Sequence, residues 1–145
     1  MTTTVKSILQ RKGSQVWYVT PDMTLLAALE QMADKNVGAL VVLEGEKLVG
    51  IISERDYARR GILQGRGPET PVRDVMTTQV YYVTKEQTIE DCMAVMTDRK
   101  IRHLPVVEDD RVVGIISIGD VVNNFIDDQQ HLIKGLENYI TGSRA

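Results

Sequence analysis

Residues 16–62 recur without a gap as residues 80–126, a shift of 64 positions. Of the 47 aligned positions 17 are identical. The shift lays Leu48–Asp56 (LVGIISERD) on Val112–Asp120 (VVGIISIGD), and Tyr18–Thr20 on Tyr82–Thr84. A repeat of this length constrains the fold more than any single motif. Each copy must be one supersecondary unit, and the two must share a surface that neither buries well alone. A site built on one copy is then expected to have a pseudo-symmetric partner on the other.

The chain has 145 residues, 43% of them hydrophobic, which suits a packed globular fold. A net charge of −3 argues against broad attraction to nucleic acid. No stretch approaches the roughly 20 apolar residues of a membrane helix. Neither nucleic acid nor membrane is therefore expected as a partner. The single Cys92 excludes an intrachain disulfide framework. The leading MTTTVKSILQRKG lacks the apolar core of a signal peptide, so the expected location is cytoplasmic.

Each copy reads β-α-β-β-α. Val16–Thr20 and Val80–Thr84 are short and β-rich. Over Thr24–Asn36, Leu25, Ala28, Leu29, Met32 and Ala33 follow helical spacing. Ile89, Cys92, Met93 and Met96 repeat that face, and Thr24 and Thr88 are suitable N-caps. Gly38–Leu43 and His103–Val107 read as buried strands. Gly45-Glu46 and Asp109-Asp110 are turn dipeptides leading to return strands at Leu48–Ile52 and Val112–Ile116. Helices follow at Asp56–Leu63 and Asp120–Ile126.

An apolar-faced turn or helix, Val5–Gln10, precedes the first copy. Its counterpart is Val72–Met76, at a shift of 67. Three extra residues therefore fall around 11–15, where Gly13 suggests a loop. The expected division is a first unit over 1–64, a linker over 65–71, a second unit over 72–126 and a C-terminal helix over 127–145. In that helix Leu132, Ile133, Leu136, Tyr139 and Ile140 share one side, to pack on the two units or on a second subunit.

The motifs Gly50-Ile51-Ile52-Ser53-x-x-Asp56 and Gly114-Ile115-Ile116-Ser117-x-x-Asp120 close the two copies. Together with Asn36–Val42 and Ile101–Val107, they resemble a tandem pair of CBS domains, the module named after cystathionine β-synthase. The resemblance covers residues 1–126 and is closest to free-standing CBS-pair proteins. It implies an α/β (α+β) fold of two pseudo-symmetric units packed side by side, plus the C-terminal helix. It also implies clefts between the units that hold adenine nucleotides.

The residues support that chemistry. Ser53 and Ser117 end strands just before helices, where free backbone N–H groups favour a phosphate. Asp56 and Asp120, three residues on, can accept both hydroxyls of a ribose. The same Ser-x-x-Asp spacing is close to the capping box, which needs no ligand. A plain cap is the commoner outcome for one copy alone, and duplication would preserve it; the family resemblance tips the reading toward a nucleotide.

By the resemblance, Arg102 and His103 reach the phosphate of the ligand whose ribose Asp56 holds. The alternative is a surface Arg and a partly buried structural His. Gly38 and Ala39 offer no such charge to the Asp120 site, so the Asp56 site is expected to be the more phosphate-friendly. Arg55 and Arg59 add charge there or remain solvated; Gly119, opposite Arg55, removes a side chain from the second site. Thr20 and Thr84 flank the adenine, with Val37 and Ile101 as apolar walls, although such residues singly are more often core.

No zinc-type Cys/His spacing, GxxxxGK[ST] or GxGxxG occurs, so no metal, catalytic residue or catalytic cofactor is expected and the chain is read as a non-enzyme. The resemblance then implies a regulatory sensor. It binds an adenine nucleotide (AMP first, with ATP, ADP or NAD as alternatives), forms a homodimer and modulates an unidentified protein partner. The competing expectation is a ligand-free structural module for dimerisation or interaction.

Overall fold

The computed structural model describes residues 3–141, with side chains described through Asn138. In the first copy β1 (Tyr18–Val19) pairs in parallel with β2 (Ala39–Glu44), which pairs antiparallel with β3 (Lys47–Ser53). Ala39–Val42 are buried, as a strand covered on both faces requires. The connecting helix α2 (Leu25–Lys35) starts where the Thr24 hydroxyl accepts the Ala27 amide at 3.1 Å. It stops at Asn36, whose φ of 55° leaves the helical region. Leu25, Ala28 and Met32 are buried, Leu29 is half-buried, and Ala33 is exposed rather than part of the packed face.

The second copy repeats this with α4 (Ile89–Arg99) and the antiparallel pair β4 (His103–Glu108) and β5 (Arg111–Ser117). Its first strand is reduced to one parallel bridge, Val83 to Val106. The reason lies in β4. Pro105 stands where the first copy has Val41, and it has no N–H with which to extend the ladder. The hairpins differ too. Asp109 and Asp110 both have positive φ, whereas in the first hairpin the positive φ falls on Gly45.

The leading segments cross between copies. Helix α1 (Val5–Lys12) buries Val5, Ile8 and Leu9 in the core of the second copy, against Val83, Ile89 and Val106. The short 3-10 turn Val72–Asp74 buries Val72, with Val75 behind it, in the core of the first, against Val19, Leu25 and Leu40. The docking bonds correspond one to one. Val5 N donates to Gln87 O at 2.8 Å and Ile89 N to Thr3 O at 3.0 Å; Val72 N donates to Met23 O at 2.8 Å and Leu25 N to Thr70 O at 2.9 Å. Each crossed apolar side chain contributes about 1.5–3 kcal/mol by burial, so the exchange ties the two halves together.

After β3 the chain makes one α-turn, α3 (Glu54–Asp56), then a wide π-turn over Tyr57–Gly61 and a 3-10 turn over Ile62–Gln64. After β5 it forms one helix, α5 (Ile118–Thr141). The two helices expected after residue 120 are therefore a single uninterrupted one. Its first half packs Val121, Asn124 and Phe125 inward, whereas Leu132, Ile133 and Leu136 stay more than half exposed. The side chains of Tyr139 and Ile140 lie outside the described residues. No helix among the described residues is long and apolar enough to cross a membrane.

Candidate functional site

Strands β3 and β5 lie in contact, and both end in the repeated Ser-x-x-Asp turn. On the β3 side a cleft of about 250 Å³ opens between the copies. The first copy lines it with Gly38, Ala39, Ser53, Arg55 and Asp56, and the second with Ile101, Arg102 and His103. Eight of the residues expected from sequence thus converge. Ile51 and Glu54 from the first copy, Thr77 and Gln79 from the segment leading into the second, and Val80 and Tyr81 from the start of the second copy complete the wall.

Asp56 is held by three groups. Its Oδ2 accepts the Ser53 amide and the Ser53 hydroxyl, both at 3.0 Å, and its Oδ1 accepts the Thr77 hydroxyl at 3.2 Å. Ser53 Oγ in turn accepts the Asp56 amide at 3.1 Å, closing the capping box. The Asp56 carboxylate is half-buried and oriented before any ligand arrives. The cap foreseen as the alternative is therefore present, and it serves also to fix the carboxylate at the cleft.

The cationic side of the cleft comes from both halves. Arg55 donates to Lys100 O at 3.0 Å, the carbonyl that ends α4, so its guanidinium is tied across the interface. His103 stands against Gly38: a Cβ at Gly38 would lie 3.4 Å from the imidazole Cε1 and 3.3 Å from Glu54 Oε1. A side chain there would press on Glu54 Oε1 and touch the imidazole, so the glycine eases the fit of both. Burial, then the charge of Lys12, hold the His103 pKa below its ordinary value; Asp120 opposes this, and Arg102 and Arg55 reinforce it. Glu54 brings a carboxylate to the same end of the cleft, where the second copy has Ile118.

Ser117 and Asp120 occupy the pseudo-symmetric position, outside this cleft. The Ser117 amide donates to Asp120 Oδ2 at 2.9 Å, and the Asp120 amide to Ser117 Oγ at 3.1 Å. Burial alone would raise the Asp120 pKa, but the hydrogen bond from Lys12, the Ser117 amide and the Lys12 charge together hold it below the usual carboxylate range. Thr20 is exposed, Thr84 caps its own turn by donating its amide to Gln87 Oε1 at 2.9 Å, and Val37 packs on the first core. Those three do not line the cleft, and Arg59 is exposed outside it. Tyr81, in the second copy, belongs to no motif and was passed over, and Thr77 was missed because it follows directly on the crossed segment. The shift of 67 against 64 was the one signal that this segment follows its own register.

This two-copy architecture with its paired Ser-x-x-Asp turns is that of a CBS pair, and the CBS domain family model matches residues 5–62 and 72–127. The chain belongs to the CBS-domain family. It is 40% identical to a mitochondrial CBS domain-containing protein of Arabidopsis thaliana, CBSX3, over 97% of this chain and 73% of the relative. A protein of Burkholderia ambifaria described as a signal-transduction protein with CBS domains superposes with a TM-score of 0.84. It is 44% identical, with 88% of this chain and 96% of that one covered. The CBS pair of protein MJ0100, solved with 5-methylthioadenosine and S-adenosylmethionine, superposes with a TM-score of 0.76 at 25% identity, over 88% of this chain and 99% of that one.

Proposed function

We propose that the chain is a regulatory module that binds an adenine nucleotide in the Asp56 cleft and transmits its occupancy to a partner protein. The observation that carries this reading is the composition of the cleft wall, drawn from both copies and from the segment that joins them. A ligand there touches every part whose relative position could change. Asp56 takes the ribose hydroxyls, Arg102 and His103 the phosphate, and Ile51, Val80 and Ile101 the base. Ligand pockets usually hold about 300–1,000 Å³. At about 250 Å³ the cleft suits one nucleoside monophosphate better than a dinucleotide, so AMP comes before ATP, ADP and NAD. The adenosine compounds bound by the MJ0100 pair support the ligand class.

The same proposal keeps the division into units over 1–64 and 72–126 joined by 65–71, followed by the residues from 127 on. It describes a cytoplasmic homodimer without a catalytic step. Calorimetric titration with AMP, ATP and NAD(H) tests it. AMP is expected to bind, and Asp56→Ala to weaken it at least tenfold. No heat from any of them at millimolar concentration, or an Asp56→Ala variant that binds as wild type does, would refute it. Turnover of ATP or NAD by the pure protein would refute the non-enzymatic reading.

One observation favours a second reading, a ligand-free interaction module: both Ser-x-x-Asp boxes are already closed by their own hydrogen bonds. On that reading Asp56→Ala and Asp120→Ala each lower stability by about 1 kcal/mol and change no ligand affinity.

A further inference from the structure

The copies treat their two motif aspartates differently, and the three-residue insertion is the reason. In the second copy the leading segment is one 3-10 turn, and the chain soon reaches Thr77. The Thr77 amide donates to Ile51 O at 2.9 Å, and its hydroxyl donates to Asp56 Oδ1 at 3.2 Å. In the first copy the corresponding segment is the eight-residue α1, which ends in Lys12. The Lys12 ammonium donates to Ile115 O at 2.9 Å and to Asp120 Oδ2 at 2.6 Å. Ile115 and Asp120 are the repeat mates of Ile51 and Asp56. One ammonium thus replaces both donors of Thr77, the amide and the hydroxyl. Arg11, from the same added turn, donates to Asn124 Oδ1 at 2.9 Å and fastens the end of α1 to the helix that carries Asp120.

We propose that Lys12 is a built-in occupant of the second nucleotide position: its ammonium holds the Asp120 carboxylate that a ribose would need, so each chain takes one adenine nucleotide, at Asp56, and not two. Both oxygens of Asp56 meet only neutral donors, which a cis-diol can replace or share, whereas Oδ2 of Asp120 carries an ammonium beside the Ser117 amide. A ribose hydroxyl that displaced Lys12 would exchange a bond with charge on both partners for one with charge on the carboxylate alone. The pair is partly shielded, with side-chain exposures of 33% for Lys12 and 22% for Asp120, so water and salt relieve it less than a surface pair. At Asp56 the corresponding donor is a neutral hydroxyl, longer and on the opposite oxygen.

The inference rests on the reading of Asp56 as the ribose carboxylate, and titration with AMP separates the two. Wild type is expected to bind one equivalent per chain. Lys12→Met, which keeps the aliphatic stem and removes the charge, is expected to bind two. Asp56→Ala alone is expected to lose that equivalent, its affinity falling at least tenfold, and the Lys12→Met, Asp56→Ala double variant is expected to bind one. Two equivalents for wild type, or an unchanged single equivalent for Lys12→Met, would overturn the inference while the Asp56 reading stood. A wild type that binds none would refute the Asp56 reading. Lys12→Met binding one equivalent in that case would uphold the role of Lys12, and binding none would overturn it as well. Should Lys12→Met not fold by circular dichroism, Asp56→Ala decides: retained binding of one AMP would mean an open Asp120 position and overturn the proposal, whereas loss would support it.

Discussion

Leu9 packs on Gly114 so closely that a Cβ on the glycine would lie 2.6 Å from the leucine Cδ2. Leu9 belongs to the crossed helix α1 and Gly114 to β5, so the glycine of the repeated Gly-Ile-Ile-Ser motif is the seat of the exchanged segment. Gly50 is the equivalent seat for Met76, where a Cβ would lie 2.6 Å from the Met76 Sδ. Leu9 is buried and cannot swing away. Gly114→Ala is therefore expected to cost about 1–3 kcal/mol by overpacking. The midpoint of urea unfolding checks this. A variant as stable as wild type would show that α1 is free to shift.

Cys92 lies on the packed face of α4, where burial first and then the charge of Asp91 raise its pKa to about 11. Since the thiolate is the reactive form, the native protein is expected to react with a thiol reagent at neutral pH far more slowly than the urea-unfolded chain. Comparable native and unfolded rates would mean that the α4 face opens readily.

The fold was largely legible because its cues are local. The threonine caps, the turn dipeptides and the alternation of apolar runs with a helical stripe each fix one element, and the repeat confirms each twice. The exchange of leading segments was not legible. Val5, Ile8 and Leu9 carry the same apolar pattern whichever copy accepts them, and only their register, offset by three residues, hints at separate docking. Asp127-Asp128 and Gly135 lie inside α5, so the helix begun at Ile118 runs on past residue 127 instead of starting anew there. At the site, Ser53 and Asp56 were singled out by the repeated motif together with the family resemblance, since spacing alone favoured a plain cap. Thr77 and Lys12 were not, since their approach depends on the crossed segments.

His103 and Asp120 give the chain two separate acid responses. The folded state holds His103 below its ordinary 6.5, through burial first and the Lys12 charge second. As pH falls below about 6.5 the unfolded chain takes this proton before the folded one does. Stability is thus full above that pH and declines as pH drops toward the folded value. Asp120, also lowered, acts in another window: its contribution is present above 3.8 and is lost only as pH falls through its folded pKa. Urea midpoints at pH 7.5 and pH 5 should differ for wild type, and His103→Gln should reduce the difference. An unchanged difference in that variant would assign the response elsewhere.

The exposed stripe of α5 bears on the proposed homodimer. Leu132, Ile133 and Leu136 are 58%, 54% and 55% exposed, and they follow one another at helical spacing beyond the part of α5 that packs on the second copy. Because these side chains touch little of their own chain, a Leu132→Glu, Leu136→Glu variant should lose within about 0.5 kcal/mol per site of monomer stability. Its effect on a dimer sealed by this stripe should be large, since it places charges where apolar contact is required. Light scattering is expected to give twice the chain mass for wild type and the single-chain mass for the variant, with matching thermal melts at low concentration. A monomeric wild type would remove the dimer from the proposal, and a variant that remains dimeric would move the interface off α5.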